Sequence, residues 1–235
     1  MRPSRIRDCI MKKIYVMIVA VAASCLLLLS GCQKVTVSGK LNGHKYVDLG
    51  LPSGTLWATC NVGASNPEDD GNYYAWGETR TKGVYYGWDN YKYGQVNDGE
   101  IFLNKYCSNS EYGVNGFTDN LRRLVASDDA ATVNWGEGWR TPTNNEFYEL
   151  VSECSWEETT YCGTIGILFT GINGNSVFLP THGNEGYWSS MLDTENPYCA
   201  CFVYLHSDSD GAVSYEFGSC GRCEKWPVRP VCSLQ

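Results

Sequence analysis

Residues 14 to 29 form a run without a single charged side chain, preceded by Met11-Lys12-Lys13 and closed by Leu29-Ser30-Gly31-Cys32. A basic start, an apolar stretch short for a bilayer span and small residues before a cysteine have the form of a cleaved export signal with a lipid-attachment site. This reading removes residues 1–31 from the fold and makes Cys32 the lipidated residue. Met11 serves as a start as well as Met1 does, because Arg2, Arg5 and Arg7 add nothing the two lysines lack. Acyl chains on the thiol and on the new amino terminus hold a protein far more firmly than one chain. The expected location is the cell outer membrane. No acid follows Cys32 in Gln33-Lys34-Val35-Thr36, so the periplasmic and exterior faces are both left open.

Without residues 1–31, thirteen Lys and Arg stand against 25 Asp and Glu, a net charge of −12. That balance excludes a nucleic-acid ligand, whose phosphates require a basic surface. The remaining length suits one globular domain over 43–235, tied to Cys32 by a polar, flexible tether over 32–42. No linker or repeat of fixed period divides it.

Nine cysteines follow Cys32: Cys60, Cys107, Cys154, Cys162, Cys199, Cys201, Cys220, Cys223 and Cys232. In an exported chain the expected outcome is one to three disulfides plus some thiols, with the pairing open. Cys199-x-Cys201 with Cys220-x-x-Cys223 suggests a four-sulfur zinc site, but the first spacing is tight and the compartment oxidising, so no metal is expected.

Along the chain, Tyr46 to Val62 reads as two short strands about the Pro52-Ser53-Gly54 turn. From Asn66 to Asn120, Gly, Asn, Asp and Tyr dominate, which predicts long structured loops with only short helical turns. A brief helix is expected from Ser127, as its cap, to Trp135-Gly136. A firmer one follows Pro142: Thr143 and Glu146 have capping-box spacing, and Phe147, Leu150, Val151 and Cys154 share a face. Thr164 to Thr170 and Asn175 to Pro180 form a hairpin through Asn173-Gly174. Further strands follow at 186–190, 201–207, 212–217 and 226–232. Few helices and many strands imply an α+β domain.

Four blocks carry a resemblance: Val47-Asp48-Leu49-Gly50-Leu51-Pro52-Ser53-Gly54-Thr55-Leu56-Trp57-Ala58; Trp135-Gly136-x-Gly138-Trp139-Arg140-x-Pro142-Thr143; Gly186-Tyr187-Trp188-Ser189-Ser190; and Val228-Arg229-Pro230-Val231. In this order they resemble the Fibrobacter succinogenes major paralogous domain family. The resemblance implies a C-type-lectin-like fold, with short, mostly antiparallel sheets, two helices and long structured loops. That architecture is shared with formylglycine-generating enzymes and with the variable proteins of diversity-generating retroelements. Members are typically exported lipoproteins thought to display a binding surface. Glu224-Lys225-Trp226-Pro227 departs from the family pattern, where Gly-Gly-Leu-Ser or similar is expected, and points to a changed loop beside the binding face.

Trp135, Trp139 and Arg140 suit sugar stacking, but packing that ties the second helix to the sheet is the reading adopted, as it is for Trp57 and Trp188. Arg229 is read as a strand arginine paired with a carboxylate. Asp208-Ser209-Asp210-Gly211 looks like part of a calcium loop. Aligning Gly211 with that loop's glycine puts His206 and Phe217 at ligand positions, so a hairpin turn is expected instead. His44, His182 and His206 lie in no catalytic motif, and no nucleophile elbow or zincin pattern occurs. The resemblance raises a copper-using oxidase with Cys220 and Cys223, whose surrounding motif does not match. No catalytic residue and no cofactor are assigned.

Strand alternation puts Cys201, Val203 and Leu205 on one face and Ala200, Phe202, Tyr204 and His206 on the other, toward solvent or ligand. With Tyr198, Asp208, Asp210, Tyr215, Glu216, Glu224 and Trp226 they form the expected ligand-binding surface, a mixture of aromatic and polar groups suited to adaptable recognition. The 17 asparagines end at Asn196, and the final 39 residues hold none. In retroelement targets adenine-directed mutagenesis converts Asn codons to the residues found at 198–223, so diversification of this region is an expectation too. The function expected is ligand binding or adhesion toward a protein or glycan. The alternatives are a structural envelope lipoprotein active in assembly, or the oxidase.

Overall fold

The computed structural model describes residues 35–83, 85–181, 185–207 and 213–234. The segment 1–31, Cys32, His182, Asp208 and Asp210 lie outside the described residues. The architecture is α+β. Among the described residues there are two α-helices, α1 (Ala130–Trp135) and α2 (Asn144–Glu153), and fifteen short strands.

The first sheet has the order β1-β2-β3-β15-β7, from β1 (Gly39–Leu41), β2 (His44–Asp48), β3 (Leu56–Ala58), β15 (Val231–Cys232) and β7 (Trp139–Arg140). All its pairings are antiparallel. Its strands β3 and β15 are buried on both faces. Leu56, Ala58, Trp139 and Cys232 belong to one apolar cluster, and Val47, Trp57 and Val231 to the other. Hence Leu56-Trp57-Ala58 is buried at all three positions, where a strand with one wet face would alternate. Each large side chain so enclosed contributes roughly 2 kcal/mol from burial.

β1 lies within the stretch 32–42 that was read as a tether. Asn42 (φ 49°) and Gly43 (φ 84°) make a two-residue turn that returns β1 onto β2, since both residues tolerate left-handed backbone. Ahead of it, Thr36 N–H donates to the Ser176 carbonyl at 3.2 Å and Thr36 Oγ1 accepts from Ser176 N–H at 3.1 Å. The compact unit therefore begins at Val35.

The two short strands about Pro52 are present as β2 and β3. The loop-rich stretch holds 3₁₀ turns at Trp88–Asn90 and Val114–Gly116, as expected. It also holds β4 (Tyr73–Ala75) and the hairpin of β5 (Gly94–Asn97) and β6 (Glu100–Leu103), which composition alone concealed. Asp98 and Gly99, at φ 50° and 86°, supply that turn.

α1 is capped by Asp129, not Ser127: its carboxylate accepts from Ala131 N–H at 2.9 Å and Thr132 N–H at 3.4 Å, while 126–128 form a separate 3₁₀ turn. α2 carries the expected capping box. Thr143 Oγ1 accepts from Glu146 N–H at 3.3 Å and Glu146 Oε2 from Thr143 N–H at 2.8 Å. Its Phe147, Leu150, Val151 and Cys154 enter the second cluster.

A second sheet, order β10-β9-β8, comprises β8 (Ser155–Tyr161), β9 (Thr164–Thr170) and β10 (Ser176–Pro180). β8 was not expected. The Asn173-Gly174 turn is three residues long, with only Gly174 at positive φ (80°), so it closes through Gly171 N–H to Asn175 carbonyl at 2.9 Å. A third sheet, order β11-β12-β13, comprises β11 (Glu185–Leu192), β12 (Cys199–Ser207) and β13 (Val213–Gly221). The expected last strand is broken by Pro230 into β14 (Lys225–Pro227), which pairs with β4, and β15.

Candidate functional site

The third sheet sets out the surface expected to bind. Across β12 and β13, Phe202 opposes Gly218, Tyr204 opposes Glu216 and His206 opposes Ser214. Directly opposed residues share a face, so Phe202, Tyr204, His206 and Glu216 lie together. The Tyr204 and His206 ring centroids are 5.2 Å apart, and His206 Nε2 lies 2.7 Å from Ser214 Oγ. Phe202 lies over Gly186 and Gly218, where an added Cβ would come to about 3 Å of its ring, and stacks on Trp226 at 5.6 Å with planes 13° apart. The Trp226 indole N–H donates to Cys220 Sγ at 3.2 Å. Glu216 and Glu224 are exposed, while Phe202, Tyr204, His206 and Trp226 are half-buried.

Three expected members stand elsewhere. Ala200 is fully buried in the first cluster, because that end of the face runs under the core while Cys201, on the opposite face, is half-exposed. Tyr198 joins a separate aromatic group, its ring 5.6 Å from Trp88 and 5.4 Å from Tyr112, and its hydroxyl donates to the Ile101 carbonyl at 2.9 Å. Tyr215 opposes Leu205 and so belongs to the reverse face of the sheet.

Of the residues read as structural, Trp57, Trp139 and Trp188 are essentially inaccessible and Trp135 nearly so. The Trp139 indole N–H donates to the Leu41 carbonyl at 3.0 Å and that of Trp188 to Tyr74 carbonyl at 2.7 Å. Arg140 makes a two-pronged pair with Glu146, tying β7 to the first turn of α2; the Nη1 to Oε2 distance is 2.7 Å. Arg229 corrects its expectation. It lies outside the strands, fully buried, and donates to Asn61 Oδ1 at 2.7 Å and Ala58 carbonyl at 3.0 Å. Neutral oxygens, not a carboxylate, receive it, so burial pushes its pKa down.

Cys60, Cys107, Cys154, Cys199, Cys201, Cys220, Cys223 and Cys232 are free thiols, so no disulfide joins any two of these eight. Burial pushes the Cys220 thiol up to about 12 and the Cys223 thiol to about 11. Thiols so protonated are poor nucleophiles. Among the described residues no group of three or more His, Cys, Asp or Glu side chains is placed to hold a metal.

Two features escaped the sequence reading. A cavity of about 430 Å³ is lined by His44, Cys60, Asn66 and Trp135 among others. The His44 imidazole stacks on Trp135 at 3.9 Å, and burial lowers its pKa, leaving it neutral at pH 7. The Asn42-Gly43 turn was the available signal, since it delivers His44 to the start of β2. Arg222, fully buried, donates to the Tyr106 carbonyl at 3.3 Å beside the Tyr91 ring; nothing in Gly221-Arg222-Cys223 announces that.

No family model matches the chain, and no solved structure matches it. A curated protein of Halobacterium salinarum, named as the catalytic subunit of a "putative dimethyl sulfoxide reductase", is 29% identical over 127 residues. The match covers 52% of this chain and 15% of that protein, so the chain spans well under a fifth of the relative's length.

Proposed function

We propose that this chain is an exported, lipid-anchored ligand-binding or adhesion protein of the cell outer membrane. It belongs to the Fibrobacter succinogenes major paralogous domain family, has a C-type-lectin-like arrangement, and recognises a protein or glycan through the outward face of β12 and β13. The observation that carries this reading is the placement of Tyr204 directly across from Glu216 and of His206 across from Ser214, flanked by the Phe202–Trp226 stack. Half-exposed rings beside an exposed carboxylate supply contact area at low entropic cost together with adaptable hydrogen bonding. Short antiparallel sheets, the two helices among the described residues and long loops support the fold assignment. The anchoring rests on Leu29-Ser30-Gly31-Cys32. No catalytic step is assigned.

The decisive experiment is binding of the full chain to glycan and envelope-protein arrays. The Tyr204→Ala, His206→Ala, Glu216→Ala triple variant is expected to lose at least tenfold in affinity while keeping its thermal transition. Unchanged binding by a folded triple variant moves the site elsewhere. Cys32→Ala is expected to release the chain from the membrane fraction, and proteolysis of intact cells is expected to cleave the wild type. Protection until the outer membrane is opened favours the structural envelope role instead. A near-identical, Asn-rich template copy beside the gene tests diversification.

A further inference from the structure

Tyr46 of β2 pairs with Ala58 of β3, and one rung further the Thr59 N–H donates to the Lys45 carbonyl at 3.1 Å. That register brings His44 opposite Cys60, and both line the cavity of about 430 Å³ together with Thr59, Ser65 and Asn66. Residues directly opposed on neighbouring strands share a face, with Cβ atoms about 5 Å apart. A thiol and an imidazole thus stand side by side on the wall of a space large enough for a small ligand.

The setting readies the sulfur rather than sequestering it. His44 is held by its stack on Trp135, ring planes 5° apart, and burial keeps its imidazole neutral at pH 7, so that a ring nitrogen can take a proton. The Thr59 hydroxyl lies 3.5 Å from Cys60 Sγ. Arg229 donates to the Ala58 carbonyl and to Asn61 Oδ1, and so sets a buried positive charge beside the stretch of chain that carries Cys60. A neutral base and a nearby cation are the groups that ready a thiol for attack. The remaining free thiols are placed differently. Cys107 is buried and donates to the Asn109 carbonyl at 3.1 Å, and burial raises the pKa of Cys154, Cys199, Cys201, Cys220, Cys223 and Cys232.

We infer that Cys60, with His44 as its proton acceptor, is a thiol–disulfide exchange site at which a low-molecular-weight disulfide enters the cavity and leaves one half on the protein. The Cys60 thiol passes its proton to His44 and its sulfur attacks one sulfur of the ligand. The new S–S bond forms as the ligand's S–S bond breaks, and the departing thiolate takes the proton back from the imidazolium. Cys60 is oxidised, one half of the ligand is reduced, and no further reactant enters. Attack on a carbonyl would need donors fixed for an oxyanion, whereas exchange needs only the nucleophile, a place for its proton and room for the leaving thiol. The site uses no residue of the Tyr204–Glu216 face and stands whether or not that face binds.

The test is incubation of the full, reduced chain with 2-hydroxyethyl disulfide, a neutral probe, followed by intact mass and peptide mapping. Mixed disulfide is expected to form at Cys60 at least tenfold faster than at the half-exposed Cys199 and Cys201. Its rate is expected to saturate as the probe concentration rises, the mark of binding before exchange. His44→Ala is expected to slow the Cys60 reaction at least tenfold while keeping the thermal transition, and added imidazole to restore part of the rate, which a merely structural histidine would not allow. A Cys60 rate no faster than that of Cys199, or one that stays linear in probe concentration, overturns the proposal. So does a folded His44→Ala variant that reacts as fast as the wild type or that imidazole leaves unrescued.

Discussion

The rings of Phe202 and Trp226 lie nearly parallel with centroids 5.6 Å apart, joining the third sheet to the short β4–β14 ladder. Gly186 and Gly218 make room beneath the Phe202 ring. Phe202→Ala is expected to cost about 2 kcal/mol, less than the roughly 3–5 kcal/mol of a fully buried aromatic because the site is only half-buried. Urea unfolding at constant m-value measures it.

Asp129 binds two parts of the chain at once. Its carboxylate caps α1 and also accepts from the backbone N–H and the hydroxyl of Thr141, each at 2.8 Å. Asp129→Ala leaves buried donors without an acceptor, and a loss of about 3 kcal/mol is expected, more than an exposed cap costs. Asp129→Asn should recover part of it, because one acceptor oxygen survives. Both are read from thermal midpoints.

Acid sensitivity should centre on Asp128. Burial works against its ionisation, but hydrogen bonds from Lys105 and Tyr106 prevail and hold its pKa down to about 2. A carboxylate depressed in the fold contributes stability above its unfolded pKa of about 4, and that stability is lost as pH falls through the folded value. The wild type should therefore lose stability between about pH 4 and 2, and Asp128→Asn should show a shallower slope there. Denaturant midpoints across that range measure both.

At the alkaline end the thiols take over. Burial raises Cys220 to about 12, and Cys154, Cys223 and Cys232 to about 11. A thiol that keeps its proton in the fold contributes stability below its unfolded pKa of about 8.5, and loses it as pH rises through the folded value. Stability should thus decline from about pH 9 upward under reducing conditions, and Cys220→Ala should flatten the decline. A flat wild-type profile between pH 9 and 11 contradicts this account.

Much of the fold was readable wherever the cause was local. Thr143 and Glu146 sit three residues apart and satisfy each other's backbone, so α2 was visible together with its buried face. The start of α1 misled because Ser127 and Asp129 are both competent caps, and the distant Thr141 decides between them. Asn42-Gly43 and Asp98-Gly99 carried hairpin signals that the surrounding loop-like composition masked. The binding surface was half-readable. Alternation grouped Phe202, Tyr204 and His206 correctly, but the place of Tyr215 depends on register across two strands. Arg229 was beyond sequence reasoning, since its oxygens come from residues 168 and 171 positions away.

β15 lies inside the first sheet, hydrogen-bonded to β3 on one side and β7 on the other, though nearly 175 residues separate it from β3. A polypeptide leaves the ribosome amino end first, so until Val231 and Cys232 emerge the opening strands have no partner along that edge. The domain consequently finishes folding only after almost all of its length has been released, and an abridged chain ending before Val231 would present an unzipped seam rather than a smaller stable domain.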